Sequence, residues 1–247
     1  MIEGVHFLPD QDMADVAWKL VATNLSDLAA KGAEPVGMLL SHTLCVDDDR
    51  FVEGLGEVLK AYGCALLGGD TVSGDGPRTF GATAIGRASH SPVPSRGGAQ
   101  IGDALCITGP VGAAMLGFEA LRDKTGEDTS SYCRPVPLLA EGQSLSPHVT
   151  AMMDVSDGLL LDASRIARAG NVTLDIETAS VPIAVAENRR DEALRWGDDY
   201  QLLFTLPVST TLPISASRIG QVLAATDSPI LLDGLPPQAG TPLGYSH

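Results

Sequence analysis

Residues 90–102 are rich in Ser, Pro and Gly and carry no apolar periodicity, while helical and strand patterns run on both sides of them. A stretch of that kind in mid-chain reads as a linker between units that each have their own core. The chain's 247 residues are enough for two ordinary domains. The break places them at residues 1–98 and 99–247. Aromatic residues make up only 4% of the chain, so both cores must be built from Ala, Val, Leu and Ile.

Before the break, residues 12–31 read as a helix. Ala17, Val21, Leu25 and Leu28 recur at helical spacing, Asp12 can cap the start, and Gly32 follows the end. Residues 36–45 read as a strand. A second helix follows with Phe51, Leu55, Val58, Leu59 and Tyr62 on one face and Gly63 at its end. Short strands are expected at 65–67 and 79–86. After the break come a strand at 104–108, a helix at 113–122 and a polar loop around 124–131. A strand near Ala151 leads into a helix over 157–169, and strands follow at 172–176 and 202–206. The tail after Asp233 is rich in Pro and Gly. This succession predicts a two-domain α+β or mixed α/β protein without fixed-period repeats.

The formal net charge is −15, which opposes binding to nucleic acid or to an anionic membrane. Cys45, Cys64, Cys106 and Cys133 show no C-x-x-C spacing and read as buried small side chains of a reducing compartment. No uncharged stretch is long enough to span a bilayer, and no secretory leader is visible, so a cytoplasmic protein is expected. No lysine follows a glycine, which excludes a Walker-type phosphate loop. The dinucleotide, zincin and nucleophile-elbow fingerprints are absent as well.

What remains is a set of aspartates at element ends: Asp27, Asp70 after Gly68-Gly69, Asp154 and Asp157 in Asp154-Val-Ser-Asp-Gly158, and Asp198-Asp199 after Gly197. Carboxylates set singly in this way suit hard cations such as Mg²⁺, which is commonly held by a few carboxylates together with substrate phosphates. Several such ions between an acidic site and a polyphosphate would reconcile phosphate chemistry with the net charge. Each segment also has a plainer reading. Ser156 and Asp157 can simply cap the helix that follows them. Asp27 and Lys31 form an i,i+4 pair. Gly68-Gly69-Asp70-Thr71 can be a turn, and Asp198-Asp199 a loop. His6 can be a packed core histidine, and Arg96 a surface charge.

Taken in order, however, the segments resemble the successive motifs of thiamine-monophosphate kinases. They are Glu3-Gly-Val-His-Phe7, Asn24-Leu-Ser-Asp-Leu-Ala-Ala-Lys-Gly-Ala-Glu-Pro35, Gly68-Gly-Asp-Thr71, Ser95-Arg-Gly-Gly-Ala-Gln-Ile-Gly-Asp103, Asp154-Val-Ser-Asp-Gly-Leu159 and Gly197-Asp-Asp-Tyr-Gln-Leu-Leu-Phe204. Single motifs recur across the superfamily of aminoimidazole-ribotide synthetase and selenophosphate synthetase. The resemblance implies an N-terminal α+β domain whose sheet pairs with a partner's in a homodimer, and a C-terminal α/β domain. ATP and thiamine monophosphate would lie in the cleft between them.

Site roles follow from the same resemblance. Asp27, Asp70, Asp154 and Asp157 match magnesium ligands. Gly69, Asp70, Arg96 and Ser156 match ATP contacts. His6, Asp198, Asp199 and Tyr245 match the substrate end. No residue is assigned as a catalytic base, because the acceptor phosphate oxygen is already anionic.

The sequence departs from the family pattern in two places. Gln201 stands where the family usually has glutamate. The family's Gly-Asp-Asp motif and Thr-Asp pair are expected upstream of Met1, so several magnesium ligands and much of the activity are expected to depend on residues outside these 247. A sister ATP-dependent synthetase and a non-catalytic nucleotide-binding remnant remain as alternatives. No Cys precedes Cys45, which argues against a selenophosphate synthetase.

Overall fold

The computed structural model describes residues 1–44 and 46–245. The first domain is built on α1 (Met13–Ala29), capped by Asp12, whose carboxylate accepts the Ala14 N–H at 2.9 Å. β1 (Ala33–Thr43) is the centre of a three-stranded sheet. β2 (Ala65–Val72) lies parallel to one side of it and β3 (Phe80–Ala88) antiparallel to the other, and α2 (Asp48–Ala61) packs on α1. Its core joins Val16, Leu20 and Val21 of α1 to Phe7, Phe51 and Phe80. The rings of Phe51 and Phe80 stack with centroids 4.7 Å apart. The expected strand over 36–45 begins earlier, at Ala33, and its expected last residue, Cys45, lies outside the described residues.

Gly68-Gly69-Asp70-Thr71 is not a turn. It continues β2, which runs well past the expected 65–67. Two glycines in a row read as a break, but here Gly68 takes a φ of 150° beside a bulge in the β1–β2 register and Gly69 allows close packing. A Cβ on Gly69 would lie 1.9 Å from the Leu40 carbonyl oxygen.

A 3₁₀ turn at Arg96–Gly98 leads into the second domain. Its elements are β4 (Asp103–Ile107), α3 (Ala113–Asp123), α4 (Ser130–Cys133), α5 (Leu139–Leu145), β5 (Ala151–Asp154), α6 (Leu159–Gly170), β6 (Val172–Ile176), α7 (Arg190–Arg195), β7 (Leu202–Pro207), β8 (Ser217–Ala224) and β9 (Ile230–Leu232). The six strands lie in the order β5-β7-β4-β8-β6-β9, antiparallel except for the parallel pair β6–β9. One core lies between this sheet and α6, with Leu105, Met153, Leu159, Ile166, Leu174 and Ile219 fully or almost fully buried. The sequence reading did not anticipate α4, α5, α7, β8 or β9. The three helices are short, and β8 is half-buried, with weak alternation.

The two domains share α1. Its C-terminal end, Ala29 and Ala30, packs with Cys106, Leu145, Met152, Leu202 and Phe204 of the second domain. The backbones come into contact where a Cβ on Gly142 of α5 would lie 2.0 Å from the Ala29 carbonyl oxygen. α1 is therefore apolar on two sides, one for each sheet. Of its polar residues, Lys19, Thr23, Ser26 and Asp27 face the seam between the domains.

Candidate active site

The strand end and loop Asp154–Gly158 form the floor of the seam. Asp154 closes β5, is 5% exposed, and accepts the Ser26 hydroxyl of α1 at 2.7 Å. Burial raises its pKa to about 6, the neighbouring Asp27 carboxylate adds to the rise, and the Ser26 bond opposes it. Partial desolvation also raises the Asp27 carboxyl, against the pull of Arg96 and Lys31. Arg96 reaches this cluster from its 3₁₀ turn. The turn lies so close to β5 that a Cβ on Gly98 would sit 1.9 Å from the Thr150 carbonyl oxygen.

Ser156 and Asp157 do not cap α6, contrary to the plainer sequence reading. The helix starts at Leu159, after Gly158 with a φ of 110°, so its N-cap position is held by a residue without a side chain. The bonding runs the other way. Asp162, fully buried inside α6, accepts the N–H groups of Ser156 and Asp157 at 3.0 and 2.9 Å. Arg165 bridges Asp162 and Asp157. A carboxylate one turn into the helix thus shapes the loop before it. The segment 197–201 ties to the same loop: Asp198 N donates to Ser156 O, and Tyr200 N and Val155 N complete a short ladder with Val155 O and Gln201 O. Tyr245 N donates to Asp157 O at 2.8 Å.

Above this loop lies a cavity of about 580 Å³. His6, Ser156, Asp157, Asp198 and Tyr245 all line it, which brings five of the expected site residues to one cavity. Phe118, Tyr132 and Trp196 supply aromatic surface. Phe118 lies 5.2 Å from Tyr132 and 5.4 Å from Trp196, centroid to centroid. Asp198, with a φ of 64°, has both carboxylate oxygens engaged: Lys19 Nζ donates to Oδ2 and the Tyr200 hydroxyl to Oδ1, each at 2.8 Å.

Three expected residues lie elsewhere. Asp199 points away from the cavity and accepts the N–H groups of Gly112 and Ala114 at the start of α3, at 2.6 and 3.0 Å. Its fixed place is that of a helix cap. Gly69 and Asp70 sit on exposed β2, where Asp70 accepts the Thr71 N–H. Gln201 turns toward β4 and accepts the Thr108 hydroxyl at 2.9 Å. Among the described residues no three His, Cys, Asp or Glu side chains converge as a metal-holding group.

Sequence reasoning passed over Lys19, Ser26, Asp162 and Arg165. The signals were present: a lysine among apolar neighbours in a helix, a serine inside the Asn24–Asp27 block, and an acid–base pair at i,i+3 directly after the acidic loop.

Residues 1–88 match the family model described as AIR synthase related protein, N-terminal domain, and residues 100–211 match that of the C-terminal domain. The thiamine-monophosphate kinase of Escherichia coli K12 is 36% identical over 229 residues, covering 84% of this chain and 69% of that protein. A solved structure of AaThiL complexed with AMPPCP and TMP superposes with a TM-score of 0.89 at 27% identity, covering 100% of this chain and 84% of that one. Thiamine-monophosphate kinase from Stenotrophomonas maltophilia gives 0.84 at 31% identity, covering 94% and 82%. Both domains in order, together with a likeness in sequence and shape along most of the molecule, meet on one conclusion: the chain belongs to the thiamine-monophosphate kinase family.

Proposed function

We propose that this chain transfers the terminal phosphoryl group of ATP to thiamine monophosphate, giving thiamine diphosphate, with Mg²⁺ as the required ion. The observation that carries this reading is the adjoining of two unlike surfaces. An aromatic cavity with a fixed carboxylate, Asp198, suits a flat, positively charged heteroaromatic ring. It opens beside an acidic strand end and loop, Asp154–Gly158, of the kind that holds phosphates through cations.

The acceptor is a phosphate oxygen, anionic near neutral pH, so no general base is needed. The barrier lies in bringing two anions together in line. Asp27 and Asp154 fit a divalent cation best, as paired all-oxygen donors whose mutual repulsion contributes to the raised pKa of Asp154. Asp157 and Asp70 are further ligands in this reading. Mg²⁺ held there would neutralise charge between donor and acceptor phosphates. Arg96 contributes a forked donor to the ATP phosphates, with Gly69, Asp70 and Ser156 as backbone or side-chain contacts. His6, Asp198 and Tyr245 contact the acceptor, and Asp199 acts at one remove by seating α3.

The domain division at 1–98 and 99–247 belongs to this reading, as does a homodimer through the first sheet, whose Leu39, Leu66, Leu67 and Ile85 are 42–52% exposed. No helix among the described residues is long and apolar enough to cross a membrane. The free, buried thiols of Cys64, Cys106 and Cys133 support a cytoplasmic location.

The test is turnover of the purified protein with ATP, Mg²⁺ and thiamine monophosphate, followed by chromatography. Thiamine diphosphate should form, in a metal-dependent manner, and thiamine offered in place of its monophosphate should give none. Phosphorylation of thiamine, with the monophosphate inert, would overturn the reading.

A further inference from the structure

Lys19 presents a physical problem that the site residues do not resolve. It stands in the middle of α1 with only 3% of its side chain exposed, flanked by the buried Val16, Leu20 and Val21. Taking an ammonium out of water costs several kcal/mol, and a leucine or methionine would fill the same space without that cost. Burial pulls the Lys19 pKa down, and Asp198 acts against that pull. Two contacts offset the desolvation. Nζ donates to Asp198 Oδ2 at 2.8 Å, and it lies 3.5 Å from the centroid of the Tyr132 ring, over its face.

The pair is asymmetric. The Lys19 side chain is buried, while that of Asp198 is 31% exposed and lines the cavity. Both residues border the cavity, but the carboxylate is the more exposed of the two, so the cavity meets mainly the negative end of the pair. Asp198 cannot easily turn away. Its other oxygen accepts the Tyr200 hydroxyl, and its N–H is bonded to Ser156 O in the acidic loop. Its backbone lies in the left-handed region, at a φ of 64°. Lys19 comes from the first domain and Asp198 from the second, so the bond also fixes the width of the seam at the cavity wall.

We propose that Lys19 is a positioning residue for the acceptor substrate: it holds the Asp198 carboxylate at the cavity wall, where that carboxylate meets a cationic heteroaromatic ring. The proposal rests on the kinase reading above. Lys19 itself contacts neither phosphate nor the reacting atoms. Its effect passes through Asp198 and falls on acceptor binding.

The experiment is a double-mutant cycle on the purified protein, with KM for thiamine monophosphate, KM for ATP and kcat measured for the wild type, Lys19→Met, Asp198→Asn and the double variant. Lys19→Met should raise KM for thiamine monophosphate by about tenfold, with KM for ATP within about twofold of wild type. With Asp198→Asn already present, adding Lys19→Met should cost nothing further. A Lys19→Met protein with unchanged acceptor KM overturns the proposal. So do equal rises in both KM values, or single effects that multiply in the double variant, because a lysine with a merely structural role would give those results. If Lys19→Met does not fold, Lys19→Arg, which keeps the charge and alters its reach, carries the same readout. A rise confined to acceptor KM supports positioning, and no rise overturns it. A wild-type protein that makes no thiamine diphosphate would refute the kinase reading itself, whereas an active wild type with an indifferent Lys19 refutes the positioning role alone.

Discussion

The Ser26 hydroxyl donates to Asp154 Oδ2 over 2.7 Å, and this bond crosses from the long helix of the first domain to a strand end of the second. Both residues are buried. Replacing the serine leaves a charged, desolvated oxygen without its donor. Ser26→Ala should therefore lower stability by about 1.5–3 kcal/mol, the range for hydrogen bonds to charged groups. Urea unfolding at neutral pH measures this, and a midpoint equal to wild type would show that water replaces the hydroxyl.

Asp157 and Asp162 should separate stability from function. Asp157 pairs with a part-exposed Arg165, so Asp157→Asn should cost no more than about 1 kcal/mol while sharply reducing Mg²⁺-dependent turnover. Asp162→Ala removes a buried acceptor of two backbone N–H groups and should cost about 2–5 kcal/mol. Denaturation curves and Mg²⁺ titrations of the two variants, run side by side, test the contrast. Equal destabilisation would contradict it.

Arg96 and Gly98 belong to one turn but should fail differently. Arg96→Ala should raise KM for ATP more than KM for thiamine monophosphate. Gly98→Ala forces a methyl group against the Thr150 carbonyl and should lower the melting temperature, at a cost of about 1–3 kcal/mol. If Arg96→Ala weakens only the acceptor, the assignment of Arg96 to ATP is reversed.

Asp199 offers a pH test away from the expected metal ligands. Burial raises its pKa to about 6, although the N–H groups of Gly112 and Ala114 pull it down. In the unfolded chain it should titrate near about 3.9. The folded protein thus holds this proton more tightly, so the contribution is present below about pH 4 and is lost as pH rises through 6. The stability of wild type relative to Asp199→Asn should fall by about 2 kcal/mol between pH 4.5 and 7. A difference that does not vary with pH would mean that the carboxylate is better solvated than its packing implies.

The open face of the first sheet predicts self-association. Sedimentation at micromolar concentration should give a dimer, and Leu39→Lys should shift it toward monomer by placing a charge among exposed apolar residues. A wild-type monomer under the same conditions would remove the sheet from the interface.

Strong periodicity made the two long helices of the first domain and the buried strands of the second legible in the sequence. What stayed hidden depended on contacts between distant segments. Gly68-Gly69 looks like a turn until the Leu40 carbonyl beside it is seen. Asp198 and Asp199 are neighbours in sequence, yet one faces a cavity and the other caps a helix, because the left-handed backbone at Asp198 turns them apart. Lys19 was overlooked because a charged residue in an amphipathic helix is assigned to water by default, whereas α1 has a second covered side.

That second side makes α1 a ruler. Lys19, beside the aromatic cavity, and Ser26, beside Asp154, are separated by two helical turns, about 10 Å along the axis. The spacing between the ring end and the acidic end of the seam is therefore written into the rise of a rigid rod rather than into loops that could adjust. Inserting one residue between the two positions would advance the distal residues by about 1.5 Å and swing them about 100° around the axis, so that one of the two partnerships must break. In the proposed reading an acceptor would be selected for length as well as for shape, because its phosphate would arrive at the acidic loop only if its ring-to-phosphate reach matched that rod.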